Sequence, residues 1–281
     1  MTWGTGVDSS KSYPAVLQDL LGDEYNVYNM GVGGEGSYSI GTRQGGITMN
    51  LVEGITIPAT QEAVPVSFIC SNGVKNAAWL SRINRENPDG GGINPCYIDG
   101  IKGELIREDV DDEIHYYFKR ESAGEEHYVT KNTPIVTNAM KTRREDIVIL
   151  FAGHNGSTSA SKLITLYEDM IDYLDYENPK YIVLGLSPDK ESTFEFHNAH
   201  EAELSEKYGE HFVNVREYMC SDQAFIDAGI EKTEDDKTDI ANCMVPRSFR
   251  TDNIHYNEIG YSLLANKVYE KLCELGYVEI N

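Results

Sequence analysis

The sequence contains few cations for its length. Its 281 residues include 24 Lys and Arg against 46 Asp and Glu, so the formal net charge is −22 at pH 7. A surface this acidic repels nucleic-acid phosphates and anionic lipid, which excludes nucleic acids and membrane surfaces as principal partners. No apolar run approaches the roughly 18 residues of a membrane-spanning helix, and no basic-then-apolar signal peptide opens the chain. As given, the sequence predicts a cytoplasmic protein, although an export signal upstream of Met1 would make it secreted.

The sequence also lacks any C-x-x-C motif. Its cysteines are odd in number and widely spaced, which predicts free thiols with neither a zinc site nor a disulfide framework. The five are Cys70, Cys96, Cys220, Cys243 and Cys273.

Two patterns of predicted structure divide the chain. In residues 1–44 and 145–281 helices alternate with short apolar strands, whereas residues 45–144 contain short β-prone segments separated by Gly and Pro turns. The alternation predicts an α/β domain with a doubly wound (flavodoxin-like) parallel sheet, which binds ligands at the carboxyl ends of its strands. Residues 45–144 are predicted to be a β-rich insertion in that domain.

The predicted elements of the α/β domain follow from hydrophobic periodicity and from Gly and Pro signals. We predict strands at residues 25–30, 147–151, 181–186 and 212–215, helices at 12–22, 37–43, 159–176, 199–208, 215–228 and 259–275, and a loop at 229–251.

A D-x-x-H motif lies immediately before the predicted C-terminal helix. Asp252 can turn back and accept the Nδ1 proton of His255, which leaves Nε2 available as a base. This pair is the acid–histidine half of a serine-hydrolase triad. The alternative is a helix N-cap aspartate beside a surface histidine.

Two further groups follow predicted strands. The Gly34 amide follows strand 25–30, and the Asn155 side-chain amide follows strand 147–151. Both can donate hydrogen bonds to a developing oxyanion. His154, directly before Asn155, either contacts substrate or faces solvent.

Two other motifs have competing interpretations. Gly31-x-Gly33-x-x-Gly36 formally matches a dinucleotide-binding fingerprint, but no clear second strand with a terminal acid follows it. His197 and His200 could place two imidazoles on one helical face for a metal, but no third ligand is evident. We therefore expect a solvated helix start at these histidines.

In these motifs the chain resembles the SGNH hydrolases, also called GDSL-type esterases and lipases. Their glycine block matches residues 29–35 (NMGVGGE), with Gly34 as the oxyanion glycine. Their G-x-N-D block matches residues 153–156 (GHNG), with Asn155 as the oxyanion amide and Gly156 in place of the usual aspartate. Their D-x-x-H block matches Asp252 and His255. The resemblance covers residues 1–44 and 145–281.

The Gly-Asp-Ser block that carries the nucleophile of this family has no match. Residues 1–6 resemble the turn directly after that serine, so we expect the chain to begin just past the nucleophile. One explanation is a truncated chain, and the other is a relative that has lost the serine. Ser157 is the nearest substitute by predicted topology, but it does not occupy a strand-to-turn position, and no serine is assigned as nucleophile.

The resemblance implies a carboxylic-ester hydrolase that needs no cofactor and no metal. Its substrate would be a small-molecule or carbohydrate ester, with carbohydrate deacetylation favoured by the family and by the aromatic residues of the insertion. The alternative is a non-catalytic module that binds a carbohydrate or a protein partner. The sequence leaves the acyl group, the alcohol and the oligomeric state open.

Overall fold

The computed structural model describes residues 1–85, 87, 89–156, 158–174, 177–188 and 193–279. The chain forms two compact units: Met1–Gly33, Ile147–Ile164 and Lys180–Asn281 in the first, and Gly34–Asp146 and Thr165–Pro179 in the second. None of the described helices is long and apolar enough to cross a lipid bilayer.

The second unit is built on a seven-stranded antiparallel sheet. The described residues of this unit form the strands β1 (Met49–Leu51), β2 (Ile55–Ile57), β3 (Val64–Val66), β4 (Phe68–Cys70), β5 (Cys96–Ile98), β6 (Ile101–Val110), β7 (Glu113–Arg120), β8 (His127–Val129) and β9 (Pro134–Thr137). The spatial order of the large sheet is β3-β7-β6-β5-β9-β1-β4, and β2 pairs with β8 in a separate two-stranded sheet. Ser67 alone separates β3 from β4 in sequence, so the two ends of the strand order lie close and the sheet nearly closes into a barrel.

Alternation of buried and exposed residues fixes the register of this sheet. On β7, Tyr116 and Phe118 are buried while the intervening Tyr117 is only partly so, and Phe118 pairs with the buried Leu105 of β6. The β6–β7 hairpin turns through Asp111 and Asp112, both at positive φ (51° and 64°). Positive φ at both central residues matches the right-handed twist of the flanking strands, and aspartate tolerates that conformation.

The first unit contains a small parallel sheet. Its strands, β10 (Val148–Leu150), β11 (Tyr181–Leu184) and β12 (Phe212–Val213), lie side by side in chain order. Their residues are almost entirely apolar, which is typical of strands buried on both faces.

The described residues of the two units also form helices. They are α1 (Tyr13–Leu21), α2 (Ser37–Gln44), α3 (Asn138–Thr142), α4 (Ala160–Asp172), α5 (Phe194–Tyr208), α6 (Val215–Met219), α7 (Asp222–Ala228), α8 (Glu234–Ala241) and α9 (Glu258–Glu274), with 3-10 turns at Ser9–Lys11, Gly22–Glu24, Gly209–His211 and Arg247–Phe249. In the first unit, α1 and α9 pack together over β11 and β12. Leu17, Leu264 and Val268 from the two helices share one core cluster with Ile182 and Leu184 of the sheet.

The predicted doubly wound parallel sheet is wrong. The larger sheet is antiparallel, and among the described strands only β10, β11 and β12 run parallel. The physical reason is connection length. Antiparallel neighbours need only a short turn, as between the β-prone segments of the second unit, whereas parallel neighbours need a long crossover. Among the described strands, the crossovers through α4 and α5 connect the parallel neighbours.

The strand predicted at residues 25–30 is also wrong, because these residues, all described, lie outside any strand. Their backbone bonds to a side chain of α1. The Gln18 Oε1 atom accepts from the Val27 amide (2.7 Å), and Gln18 Nε2 donates to the Tyr25 carbonyl (2.9 Å). Hydrogen bonds from the Gln18 side chain therefore take the place of the strand–strand hydrogen bonds that the alternating pattern predicted.

Most predicted helices are confirmed, with three differences. The helix predicted at 199–208 begins five residues earlier, at Phe194. The predicted helix 215–228 is two helices, because Ser221 caps a new one by accepting from the Ala224 amide (3.3 Å). The predicted loop 229–251 contains α8, which begins with a capping box. Thr233 Oγ1 accepts from the Asp236 amide (3.1 Å), and Asp236 accepts from the Thr233 amide (3.0 Å).

The α1–α9 packing predicts a contrast between two leucines of one helix. Leu17 is 1% exposed and Leu20 is 39% exposed. Leu17→Ala should lower the free energy of unfolding by about 2–5 kcal/mol through lost burial and a residual cavity. Leu20→Ala should change it by about 0.5 kcal/mol or less.

Urea denaturation in a Trp79→Phe background measures both effects, because Trp3 is then the sole tryptophan and lies in the first unit. Equal losses for the two leucine variants would contradict the packing of α1 on α9.

Candidate functional site

The D-x-x-H motif forms a tight loop in which the aspartate contacts the histidine. Asp252 Oδ2 lies 2.9 Å from His255 Nδ1, and Asp252 Oδ1 accepts hydrogen bonds from the Ile254 and His255 amides at 2.7 and 2.8 Å. The loop is closed by a β-bridge between Arg250 and Tyr256 and by the Thr251 amide, which donates to the His255 carbonyl (2.9 Å). One carboxylate therefore fixes both the loop and the ring.

The charge of Asp252 determines which imidazole nitrogen is protonated. Burial acts to raise the pKa of Asp252, but the hydrogen bonds from the His255 ring and from two amides outweigh it and lower the pKa to about 2. The carboxylate is ionised at neutral pH and can only accept, so Nδ1 carries a proton. None of the described residues hydrogen-bonds to Nε2 of His255. This nitrogen is the free base position that general-base chemistry requires.

Arg250 anchors the loop through hydrogen bonds from its guanidinium. Its guanidinium donates to the Asp252 carbonyl (3.0 Å), to Asn253 Oδ1 (3.1 Å) and to Asp239 Oδ2 (3.0 Å). Asp239 is 4% exposed and also pairs with Arg247 at 3.0 Å. Burial acts to raise the pKa of Asp239, while the two arginines lower it below its ordinary value. The buried charge is thus paired and hydrogen-bonded, as buried charges require.

A turn after β10 carries His154 and Asn155. Gly153 adopts φ 105°, and the Gly156 that ends the turn adopts φ 91°. Asn155 is exposed at the tip of this turn. His154 is partly buried, packs edge-on against Phe151 (centroids 4.8 Å apart), and accepts the Ser187 amide at Nε2 (2.9 Å). The structure therefore places His154 inside the first unit, and Asn155 at its surface.

His154 is held neutral. Burial, followed by the positive charges of nearby groups, lowers its pKa to about 3; those groups are the Met1 amine, His197, His200 and His255. The hydrogen bond agrees, because Nε2 can accept the Ser187 amide only when it is unprotonated.

Ser187 brings the two segments together. It follows β11 and is 3% exposed, and its Oγ accepts the Tyr256 hydroxyl at 2.7 Å. Tyr256 directly follows His255, and His154 directly precedes Asn155. The loop with the acid–histidine pair and the turn with the amide are thus joined through one serine.

The N-terminal turn packs beside this loop. The Tyr261 hydroxyl donates to the Thr5 carbonyl (2.9 Å), and Thr251 Oγ1 donates to the Gly6 carbonyl (3.4 Å). Gly31 allows close approach on the other side, because a Cβ there would lie 2.5 Å from the Trp3 nitrogen. Residues 1–6, 31 and 251–256 therefore lie together in the first unit.

Gly34 belongs to the second unit. It is exposed at φ 75°, and a Cβ there would lie 3.4 Å from Nε of Arg82. Its amide as an oxyanion donor stays a prediction.

The structure places the candidate metal ligands His197 and His200 in a different environment from the one expected. His197 and His200 were expected at a solvated helix start, but they are buried in α5 at 1% and 3% exposure, so that expectation is wrong. His197 Nδ1 lies 4.0 Å from Glu201 Oε1. Within the described part of the chain, no group of three or more His, Cys, Asp or Glu side chains is arranged to hold a metal ion. Ser157 lies outside the described residues.

Sequence reasoning missed three residues of this site: Ser187, Tyr256 and Arg250. Ser187 had a weak signal, since a serine followed by proline directly after an apolar strand stands at the ligand-binding edge of a parallel sheet. The contacts of Tyr256 and Arg250 are set by tertiary packing, which sequence spacing does not encode.

Comparison of the chain with protein-family models, curated proteins and solved structures finds no match.

The depressed pKa of His154 predicts a pH dependence of stability. The unfolded chain binds a proton near pH 6.5 while the folded chain does so near pH 3, so the stabilisation is complete above pH 6.5 and is lost as the pH falls toward 3. The loss attributable to His154 should be at most about 1.4 kcal/mol per pH unit.

The measurement is the free energy of unfolding at pH 7.5 and 5.0 for the parent chain and for His154→Gln. The pH-dependent difference should shrink in His154→Gln and persist in the control His115→Gln, whose side chain is 44% exposed. The same pH dependence in parent and His154→Gln would show that His154 is not held neutral.

Proposed function

We propose that the chain carries the acid–base half of a serine esterase of the SGNH type. Support comes from one observation above all: the 2.9 Å contact between Asp252 Oδ2 and His255 Nδ1 in a loop that leaves Nε2 free. The resemblance of the glycine block, the Asn155 block and the D-x-x-H block supplies the reaction class.

The proposed reaction proceeds in two stages. In the first, a serine hydroxyl attacks the ester carbonyl carbon while His255 Nε2 takes its proton, and the charge develops on the carbonyl oxygen. The intermediate collapses, the C–O bond to the alcohol breaks, and His255 returns the proton to the departing alkoxide. In the second stage a water molecule attacks the acyl-serine by the same route and releases the acid.

Asp252 has the supporting role in both stages. Its ionised carboxylate keeps Nδ1 protonated, orients the ring and stabilises the imidazolium that forms when Nε2 takes the proton. Asn155 is positioned on an exposed turn joined to the same loop, which suits a side-chain amide that donates to the oxyanion. The resemblance implies that the nucleophile is the serine of a Gly-Asp-Ser block, and no serine of residues 1–281 is assigned that role.

The substrate proposed is a small-molecule or carbohydrate ester, with acetylated carbohydrate first among these. The alternative, a binding module without catalysis, differs in one measurable respect: it turns over no ester whatever serine is supplied.

The test uses the chain extended upstream of Met1 by a strand ending in Gly-Asp-Ser. This protein should hydrolyse p-nitrophenyl acetate, and His255→Ala or Asp252→Asn should lower kcat by about 10³- to 10⁴-fold, since base and tautomer control are lost.

The second unit offers a matched control, because His127 Nε2 lies 2.7 Å from Asp99 Oδ2 in another exposed pair. His127→Ala should leave kcat unchanged. Turnover that survives His255→Ala, or no turnover by any extended form, would refute the esterase proposal.

A further inference from the structure

We propose that Ser187 is the positioning residue of the site: its hydroxyl and its amide hold the loop of His255 and the turn of Asn155 in one fixed arrangement. This inference rests on the proposed function for its catalytic consequence. The structural link itself can be tested without catalysis.

The link consists of two hydrogen bonds that meet on one buried residue. The Tyr256 hydroxyl donates to Ser187 Oγ at 2.7 Å, and the Ser187 amide donates to His154 Nε2 at 2.9 Å. Tyr256 is 0% exposed and Ser187 is 3% exposed. The Tyr256–Ser187 bond is buried and the Ser187–His154 bond is partly buried, and hydrogen bonds shielded from water are costly to leave unmade, so they fix geometry.

Both ends of the link adjoin a proposed catalytic group by a single peptide bond. Tyr256 follows His255 and is held by the bridge to Arg250, and its ring packs edge-on against Tyr261 (centroids 5.5 Å apart). His154 precedes Asn155 and is held by Phe151. A displacement of Ser187 therefore reaches the imidazole on one side and the amide on the other.

Both donors of the link, the Tyr256 hydroxyl and the Ser187 amide, keep their protons at neutral pH. The tyrosine hydroxyl stays protonated because burial raises the pKa of Tyr256 well above its ordinary value. His154 accepts at Nε2, so its ring proton is on Nδ1. Four nearby groups add to the effect of burial in lowering the pKa of His154: the Met1 amine, the imidazoles of His197 and His200 in α5, and the imidazole of His255.

A positioning role differs from simple packing in what it predicts for catalysis. Groups that stabilise only the transition state affect kcat, and a misplacement of about 1 Å can cost on the order of 100-fold. Loss of the Ser187 hydroxyl should therefore lower kcat with little change in KM. Loss of packing alone would lower stability and leave kcat of the folded fraction intact.

The experiment compares Tyr256→Phe, Ser187→Ala and Ser187→Thr with Tyr116→Phe as a matched control. Tyr116 is 2% exposed, and its hydroxyl donates to the Ala77 carbonyl at 2.7 Å in the second unit. The first readout is the ring nitrogen NMR signals of His154 and His255, recorded on the chain as it stands and assigned with histidine substitutions. The second readout is p-nitrophenyl acetate turnover by the extended protein.

Tyr256→Phe and Ser187→Ala should shift the ring signals of both histidines, and should lower kcat by about 10- to 100-fold. Ser187→Thr, which keeps a hydroxyl, should restore both readouts in large part, and Tyr116→Phe should alter neither. The double variant Tyr256→Phe/Ser187→Ala should be no worse than the single variants, because the same bond is already lost in each.

The inference is overturned if only one of the two histidine signals responds, or if the signals shift while kcat does not. Absence of turnover from every extended form, together with shifted signals, refutes the esterase proposal and leaves the link established. Turnover together with unshifted signals refutes the positioning role of Ser187 and leaves the esterase proposal standing.

Discussion

The site depends on a single carboxylate that accepts three hydrogen bonds. Asp252 accepts hydrogen bonds from two amides and one imidazole of the next three residues, so the loop between the bridged residues Arg250 and Tyr256 acquires a fixed shape. The same bonds that shape the loop also depress the pKa of Asp252 and keep it charged. The shape of the loop and the ionisation of Asp252 therefore have the same cause, because an ionised carboxylate is also a stronger hydrogen-bond acceptor than a neutral group.

One buried ion pair supports this arrangement directly, and other buried pairs lie elsewhere in each unit. Asp239 pairs with Arg250, which hydrogen-bonds to the Asp252 loop. Glu201 pairs with Arg216 at 2.6 Å elsewhere in the first unit. The second unit has its own buried pair, Glu35 and Arg43 at 2.7 Å. Such pairs add little net stability, because desolvation offsets the attraction, but loss of one partner leaves an uncompensated charge at about 3–5 kcal/mol.

Local features were predictable from the sequence, and non-local ones were not. Helices α1 and α9 follow from periodicity with Pro14, Gly22 and Asn257 near their ends, and the contact between Asp252 and His255 follows from a three-residue spacing that a single turn can close. The prediction of the sheet type was wrong because strand pairing is decided by partners distant in sequence. The sequence of a β-prone segment does not identify its partner strand. The strand predicted at residues 25–30 was wrong because the side chain of Gln18, in α1, hydrogen-bonds to their backbone.

That contrast bears on how far a resemblance in motifs extends. Three short blocks in order predicted both a site and a fold, and the predicted sheet is wrong while the acid–histidine pair forms in the first unit. A site needs only a few groups held at fixed separations, and any scaffold that supplies those separations serves the same chemistry. Here the Asp252–His255 contact and the two hydrogen bonds of Ser187 form within the first unit, and none of them requires a doubly wound sheet. The proposed chemistry therefore depends on these local bonds, and on a nucleophile delivered to His255 Nε2, more than on the topology around them.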